Sequence, residues 1–177
     1  MRTLSSQELY AGRVLRLHAD QVEMPDGSTA ERLVVDHPGA IVIVPLDGHG
    51  NVLLVRQPRY AADRKELLEL PAGTREPNEE PKVTARRELR EETGFDTRDL
   101  IPLGGFYSAP GFCSEYLHLF VARDLFASKA EPDEDEFLSL EPTSVDEVPN
   151  LIRSGEIEDA KSIAGLLRVI FLEDLTN

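Results

Sequence analysis

The stretch GTREPNEEPKVTARRELREETGF, from Gly73 to Phe95, constrains the fold more than any other part of the 177-residue chain. Gly73 opens it, Gly94 comes just before its end, and carboxylates stand at helical intervals between them. Asn78 is a good N-cap, Glu79 and Glu80 suit the first turn where the helix dipole favours negative charge, and Pro81 is early enough to lose no intrahelical hydrogen bond. From there to Thr93 no glycine or further proline interrupts, and Ala85, Leu89, glutamates and arginines favour the helical state. Gly94 then supplies the left-handed residue that ends it. The pattern predicts a helix from about Asn78 to about Thr93.

Residues three and four apart share a helical face, so Glu88, Glu91 and Glu92 project together. Ala85 and Leu89 form the apolar pair that packs inward, while Val83, Arg86 and Arg90 make a less regular stripe elsewhere on the helix. A glutamate-rich helix is often only a solvated face with scattered ion pairs. Three carboxylates in one patch repel, however, unless a cation lies between them. Oxygen ligands in this number suit a hard ion such as magnesium or manganese. Arg87 is placed to pair with one glutamate and hold its rotamer.

The spacing sharpens that reading. Gly73, five residues, Glu79, seven residues, Arg87-Glu88-Leu89, one residue, Glu91-Glu92, one residue, Gly94 and apolar Phe95 resembles the Nudix box at every defined position. The resemblance implies a mixed sheet between helices, with the box as a loop-helix-loop at its active edge, and divalent-metal hydrolysis of a diphosphate bond.

Composition bounds the remaining options. A chain of this length with 41% hydrophobic residues can bury one proper core. No apolar run is long enough to span a bilayer or serve as a signal sequence, so a soluble cytoplasmic protein is expected. The single cysteine, Cys113, excludes an internal disulfide framework and a cysteine-only zinc site. A formal net charge of −14 argues against a nucleic-acid or anionic-membrane partner, since both are met through basic surface. The run Asp133-Glu134-Asp135-Glu136 reads as a solvated loop before a strand from Phe137 to Leu140.

Along the chain, residues 1–38 read as a small antiparallel β unit. Val14, Leu15, Leu17, Ala19, Val22 and Met24 alternate in strand fashion, Pro25-Asp26-Gly27 marks a turn, and Glu31 to Asp36 resumes a strand. Residues 39–177 read as the catalytic domain. It should have strands at Ala40 to Leu46, Val52 to Val55, Leu67 to Leu70, Leu100 to Ser108 and Tyr116 to Ala122. Helices are expected near Val145 to Ser154 and Ser162 to Leu172. Strands mixed with a few helices suggest an α/β/α or α+β sandwich.

The flanks of the box resemble the ADP-ribose pyrophosphatase subgroup of Nudix hydrolases. Pro110, fifteen residues after Phe95, stands where that subgroup carries a proline. The passage Ser108-Ala-Pro-Gly-Phe-Cys-Ser-Glu115 is similar to its catalytic loop. His37-Pro38-Gly39-Ala40, Arg56-Gln57-Pro58-Arg59 and Glu69-Leu70-Pro71-Ala72-Gly73 follow its order, and the likeness runs from about residue 10 to residue 172.

The resemblance implies Mg2+, with Mn2+ as a substitute, held by Glu88, Glu92 and Glu91 with the Ala72 carbonyl. It implies Glu115 as the general base, with a box glutamate such as Glu91 as the other candidate, and Arg87 as their organiser. Arg56 and Arg59 are candidates for the phosphates, because the guanidinium fork matches a diphosphate, with Arg56 the preferred one of the two. Pro110 and Gly111 would shape the substrate loop, although a plain turn accounts for them as well. Arg32 is a candidate adenine contact, and a homodimer through the N-terminal unit is implied.

The expected reaction is ADP-ribose plus water to AMP and ribose 5-phosphate. A different nucleotide (GDP-mannose, flavin dinucleotide or a dinucleoside polyphosphate) and a non-catalytic nucleotide-binding module remain open. The chain departs from the subgroup in having no tryptophan, which leaves base stacking to tyrosine, phenylalanine or arginine. His18, His37, His49 and His118 have no ligand spacing and receive no role.

Overall fold

The computed structural model of the chain describes residues 1–128 and 138–173. The acidic run Asp133 to Glu136 and the expected strand start at Phe137 lie outside the described residues. Ten strands occur in chain order: β1 Arg2–Ala11, β2 Arg16–Glu23, β3 Thr29–Asp36, β4 Ala40–Pro45, β5 Asn51–Arg59, β6 Arg64–Glu69, β7 Ala72–Thr74, β8 Phe95–Tyr107, β9 Tyr116–Ala127 and β10 Ser139–Ser144. The helices are α1 Pro81–Thr93, α2 Val148–Ser154 and α3 Ala160–Glu173, with short 3-10 turns at Tyr60–Ala62 and Val145–Glu147.

Three sheets result. β1, β2 and β3 form an antiparallel meander at the N-terminus; β10, β5 and β6 form a second antiparallel sheet; and β7, β4, β9 and β8 form a mixed sheet in which β4 and β9 run parallel. Strand β4 is buried along its whole length, as expected of an apolar strand covered on both faces. Its alternate residues serve different layers. Ile41 and Ile43 pack with Ala85 and Leu89 of α1 and with Leu100, Phe120 and Ala122. Val42 and Val44 join Leu119 and Val121, Leu54 and Leu68, and Leu166 and Val169 of α3. The α/β/α layering expected from the sequence is present, with the N-terminal sheet as a separate unit.

Helix α1 starts later than the sequence suggested. Asn78 is not its cap: it sits at a φ of 65° inside a turn closed by the Glu79 N–H on the Glu76 carbonyl. Pro81 is the cause, because a proline restricts the residue before it to extended backbone, and Glu80 has φ −69° and ψ 137°. Glu80 therefore caps the helix, and its carbonyl accepts from the Val83 and Thr84 N–H groups. The other end is as expected, with Gly94 at a φ of 74° and its N–H on the Arg90 carbonyl.

Strand β1 was not foreseen, because all ten of its residues are exposed and it carries no buried alternation. Strands β5, β8 and β9 run longer than their apolar centres, and α3 begins two residues before Ser162. Asp159 caps α3, its Oδ2 accepting from the Ser162 N–H at 3.0 Å. Among the described residues no helix is long and apolar enough to cross a membrane.

Candidate active site

Helix α1 presents its acidic face to strand β7. Glu88 and Glu92 are almost fully buried, at 6% and 4% exposure, which is unusual for carboxylates and demands partners. The Ala72 N–H donates to Glu92 Oε2 at 3.0 Å, tying the helix to the strand. Glu88 lies directly over Gly73: a Cβ built there would fall 1.9 to 2.3 Å from the Glu88 carboxylate. Glycine at 73 is thus required by close approach, quite apart from any turn.

Arg87 organises the remaining charge. Its Nη1 lies 2.8 Å from Glu88 Oε1 and donates to Glu91 Oε2 at 2.9 Å, while Nε and Nη2 reach the Glu79 carboxylate at 3.3 and 3.2 Å. Burial opposes the charge on Arg87, but Glu79, Glu88 and Glu91 outweigh it and hold its proton more firmly than usual. Burial also disfavours the Glu79 carboxylate, yet Arg87 and the Glu76 N–H together keep its pKa below the ordinary value. Glu79 is therefore part of the box through Arg87, and not through the first helical turn.

Among the described residues no group of three histidine, cysteine, aspartate or glutamate side chains is arranged to hold a metal ion. The donor chemistry nevertheless fits a hard divalent cation. Two buried carboxylates and a third shared with Arg87 lie on one helical face, over a strand whose glycine leaves room for them.

Beside this face stands a second polar network. Glu69, 1% exposed, accepts from Arg59 Nε and Nη2 at 2.8 and 2.7 Å and from Lys161 Nζ at 2.5 Å. Lys161 also reaches Asp159 Oδ2 at 2.8 Å, and Ser162, which Asp159 caps, accepts from the Leu70 N–H through its Oγ at 2.7 Å. Hydrogen bonding to Glu69 raises the Arg59 pKa against the cost of burial, with smaller contributions from the charges of Glu69, Glu92 and Asp159. Arg59 thus stands within the field of both the box and the α3 N-terminus.

Lys161 and Asp159 line a groove of about 330 Å3, together with Tyr107, Ser108 and Glu115. Glu115 precedes β9, and register places it at the box end of the mixed sheet: Ile41 of β4 pairs with Gly73 on one side and His118 on the other.

The other sequence candidates are placed differently. Arg56 is held by Glu141 at 2.7 and 3.1 Å and by Glu156 at 2.8 Å, bridging β10 to the segment before α3. Arg32, exposed on β3, donates to the Glu31 carbonyl and to Met24 Sδ. Pro110 and Gly111 lie in a turn in which the Phe112 and Cys113 N–H groups bond the Ala109 carbonyl. Lys161, Asp159 and His37 were missed. The segment Asp159-Ala-Lys161 at a helix start was the readable signal for the first two, whereas the place of His37 depends on a contact with Glu115 that no local pattern reveals.

Comparison with known proteins agrees with this architecture. Residues 36–166 match the NUDIX domain, and residues 1–35 match the nucleoside diphosphate sugar hydrolase N-terminal domain. The chain belongs to the Nudix hydrolases. It is 37% identical over 163 residues to the ADP-ribose pyrophosphatase of Bacillus subtilis (strain 168), covering 91% of this chain and 88% of the relative. It is 38% identical over 164 residues to the methanol dehydrogenase activator of Bacillus methanolicus, covering 92% and 88%. A crystal structure of an ADP compounds hydrolase has the same fold, with a TM-score of 0.86 at 23% identity, covering 99% of this chain and 95% of that one.

Proposed function

We propose that this protein hydrolyses the diphosphate bond of ADP-ribose, or of a closely related nucleoside diphosphate sugar, giving AMP and ribose 5-phosphate. The observation that carries the proposal is the buried pair Glu88 and Glu92 on α1, set over Gly73 where no side chain fits. The relatives' activity narrows the substrate class.

Glu88, Glu92 and Glu91, with the Ala72 carbonyl, are the residues that would hold Mg2+, or Mn2+ in its place. Bound there, the ion supplies neutralisation of the phosphate oxygens and a more acidic water. The protein's own residues do the rest. Arg87 keeps the glutamates oriented. Arg59 keeps guanidinium N–H groups beyond the two that Glu69 takes, and these suit a phosphate oxygen. Arg56, already held by two carboxylates, becomes the weaker candidate for that role. Glu115, in the groove with Lys161, accepts the proton of the attacking water on its carboxylate, with Glu91 as the other candidate. Pro110 and Gly111 shape the loop that carries Glu115.

The N-terminal unit, residues 1–38, is proposed to pair with a second copy. It exposes Leu4, Leu9, Tyr10 and Leu33, and a partner's Arg32 face would then come within reach of a bound base. A cytoplasmic location fits a nucleotide substrate of this kind.

The test is to incubate the purified protein with Mg2+ and ADP-ribose, GDP-mannose, flavin dinucleotide, diadenosine polyphosphates or nucleoside triphosphates, and to identify products by chromatography. AMP forming fastest from ADP-ribose is the expected result. Faster cleavage of another member would move the substrate, and no cleavage of any would point to a nucleotide-binding module.

A further inference from the structure

The loop that carries Glu115 is tied to the end of the N-terminal sheet. The Val35 N–H donates to the Phe112 carbonyl at 2.7 Å, and the Ser114 N–H returns to the Val35 carbonyl at 2.9 Å. The His37 N–H then donates to Ser114 Oγ at 2.9 Å. Two residues on, the Gly39 N–H donates to His37 Nδ1 at 3.1 Å, which fixes the ring. In that position Nδ1 lies 3.5 Å from Glu115 Oε1, with side-chain exposures of 13% and 25% for the two residues. Among the described residues no other side chain is within ion-pair distance of the Glu115 carboxylate.

We propose that His37 is a positioning residue for Glu115, setting where the proton-accepting carboxylate sits in the groove. The proposal rests on the reading of Glu115 as that acceptor. The hydrogen-bond roles give it a direction. A backbone N–H can only donate, so Nδ1 of His37 is an acceptor and the ring proton is on Nε2. Nδ1 therefore offers no proton to the charged Glu115 carboxylate, and the 3.5 Å separation is that of a contact rather than of a formed hydrogen bond. His37 also lies between β3 and β4, so with Val35 it joins the end of the N-terminal sheet to the loop that carries Glu115.

Two substitutions separate this role from a purely local one. Asparagine and aspartate at 37 both place an oxygen where the Gly39 N–H can bond it, as in an Asx turn, so both keep the backbone arrangement. Only aspartate sets a second negative charge against Glu115. His37→Asp is expected to have a kcat about tenfold below that of His37→Asn, with KM alike in the two, an effect within the usual range for coupled neighbours. In a Glu115→Gln background the two should have equal kcat, because the charge that an aspartate at 37 would oppose is gone.

Equal kcat for the two variants with Glu115 present, or a difference that persists with glutamine at 115, would overturn the proposal. Glu115→Gln alone retaining normal turnover would overturn the reading of Glu115 itself, a result visible without any change at 37. Should His37→Asp fail to fold by circular dichroism, Ser114→Ala takes its place. It removes the acceptor of the His37 N–H and should lower kcat in wild type but not further in Glu115→Gln.

Discussion

The carboxylate of Glu88 occupies the space that a side chain at Gly73 would need, with 1.9 Å between the Glu88 carboxyl carbon and the position of a Cβ. The first glycine of the box and the first glutamate of its acidic face are therefore a single packing unit, although fifteen positions separate them.

Replacing that glycine is the first prediction. Gly73→Ala must push Glu88 or the β7 backbone aside, an overpacking cost of about 1–3 kcal/mol. The Glu88 carboxyl, at the end of a side chain, yields more readily than the paired backbone of β7, so the displacement falls on the active face. Turnover should drop about 100-fold or more, whereas a melting experiment shows a cooperative fold with a lowered Tm. Normal turnover in this variant would show that Glu88 is not held where catalysis needs it.

Arg56 should behave as a structural residue. Its hydrogen bonds keep the Glu141 carboxyl below its ordinary value, 4.5. A folded-state pKa that is depressed contributes stability above the unfolded value and loses it as pH falls through the folded one. Both partners are partly exposed, so the contribution is at most about 1 kcal/mol. Arg56→Gln should lower Tm modestly at pH 7, and its gap to wild type should close as the pH is taken below about 4. KM should rise less in Arg56→Gln than in Arg59→Gln, which steady-state kinetics will check.

Lys161 offers a third test. Among the described residues its ammonium is one of two cationic partners of Glu69, a carboxylate 1% exposed. Lys161→Met keeps the length of the side chain and removes the charge, leaving Arg59 alone on the carboxylate. The expected loss is about 1.5–3 kcal/mol, read by denaturant unfolding. Because Arg59 then has to serve Glu69 alone, KM for the diphosphate substrate should rise as well.

What was legible in the sequence was local. Helix α1, its Gly94 end and its Ala85 and Leu89 face follow from spacing within a few turns, and the apolar runs of β4 and β5 announce buried strands. The misplaced start at Asn78 arose because two capping signals compete within four residues, and the constraint that Pro81 imposes on Glu80 prevails. The network of Glu69, Lys161 and Asp159 joins residues some ninety positions apart, and the contact of His37 with Glu115 spans nearly eighty. Neither leaves a periodic trace. Strand β1 is held by pairing with β2 rather than by burial, so hydrophobic alternation could not reveal it.

The most direct measurement is AMP release from ADP-ribose, followed side by side for wild type and Glu92→Gln in Mg2+ and after chelation. Glutamine keeps an oxygen for the Ala72 N–H, so the fold should persist while the charge is lost. The account predicts AMP and ribose 5-phosphate in equal amounts from wild type. It also predicts no turnover after chelation, recovery on adding Mg2+, and a kcat at least about 100-fold lower in Glu92→Gln. Turnover that survives chelation, or a folded Glu92→Gln variant working at the wild-type rate, would contradict the site described on α1.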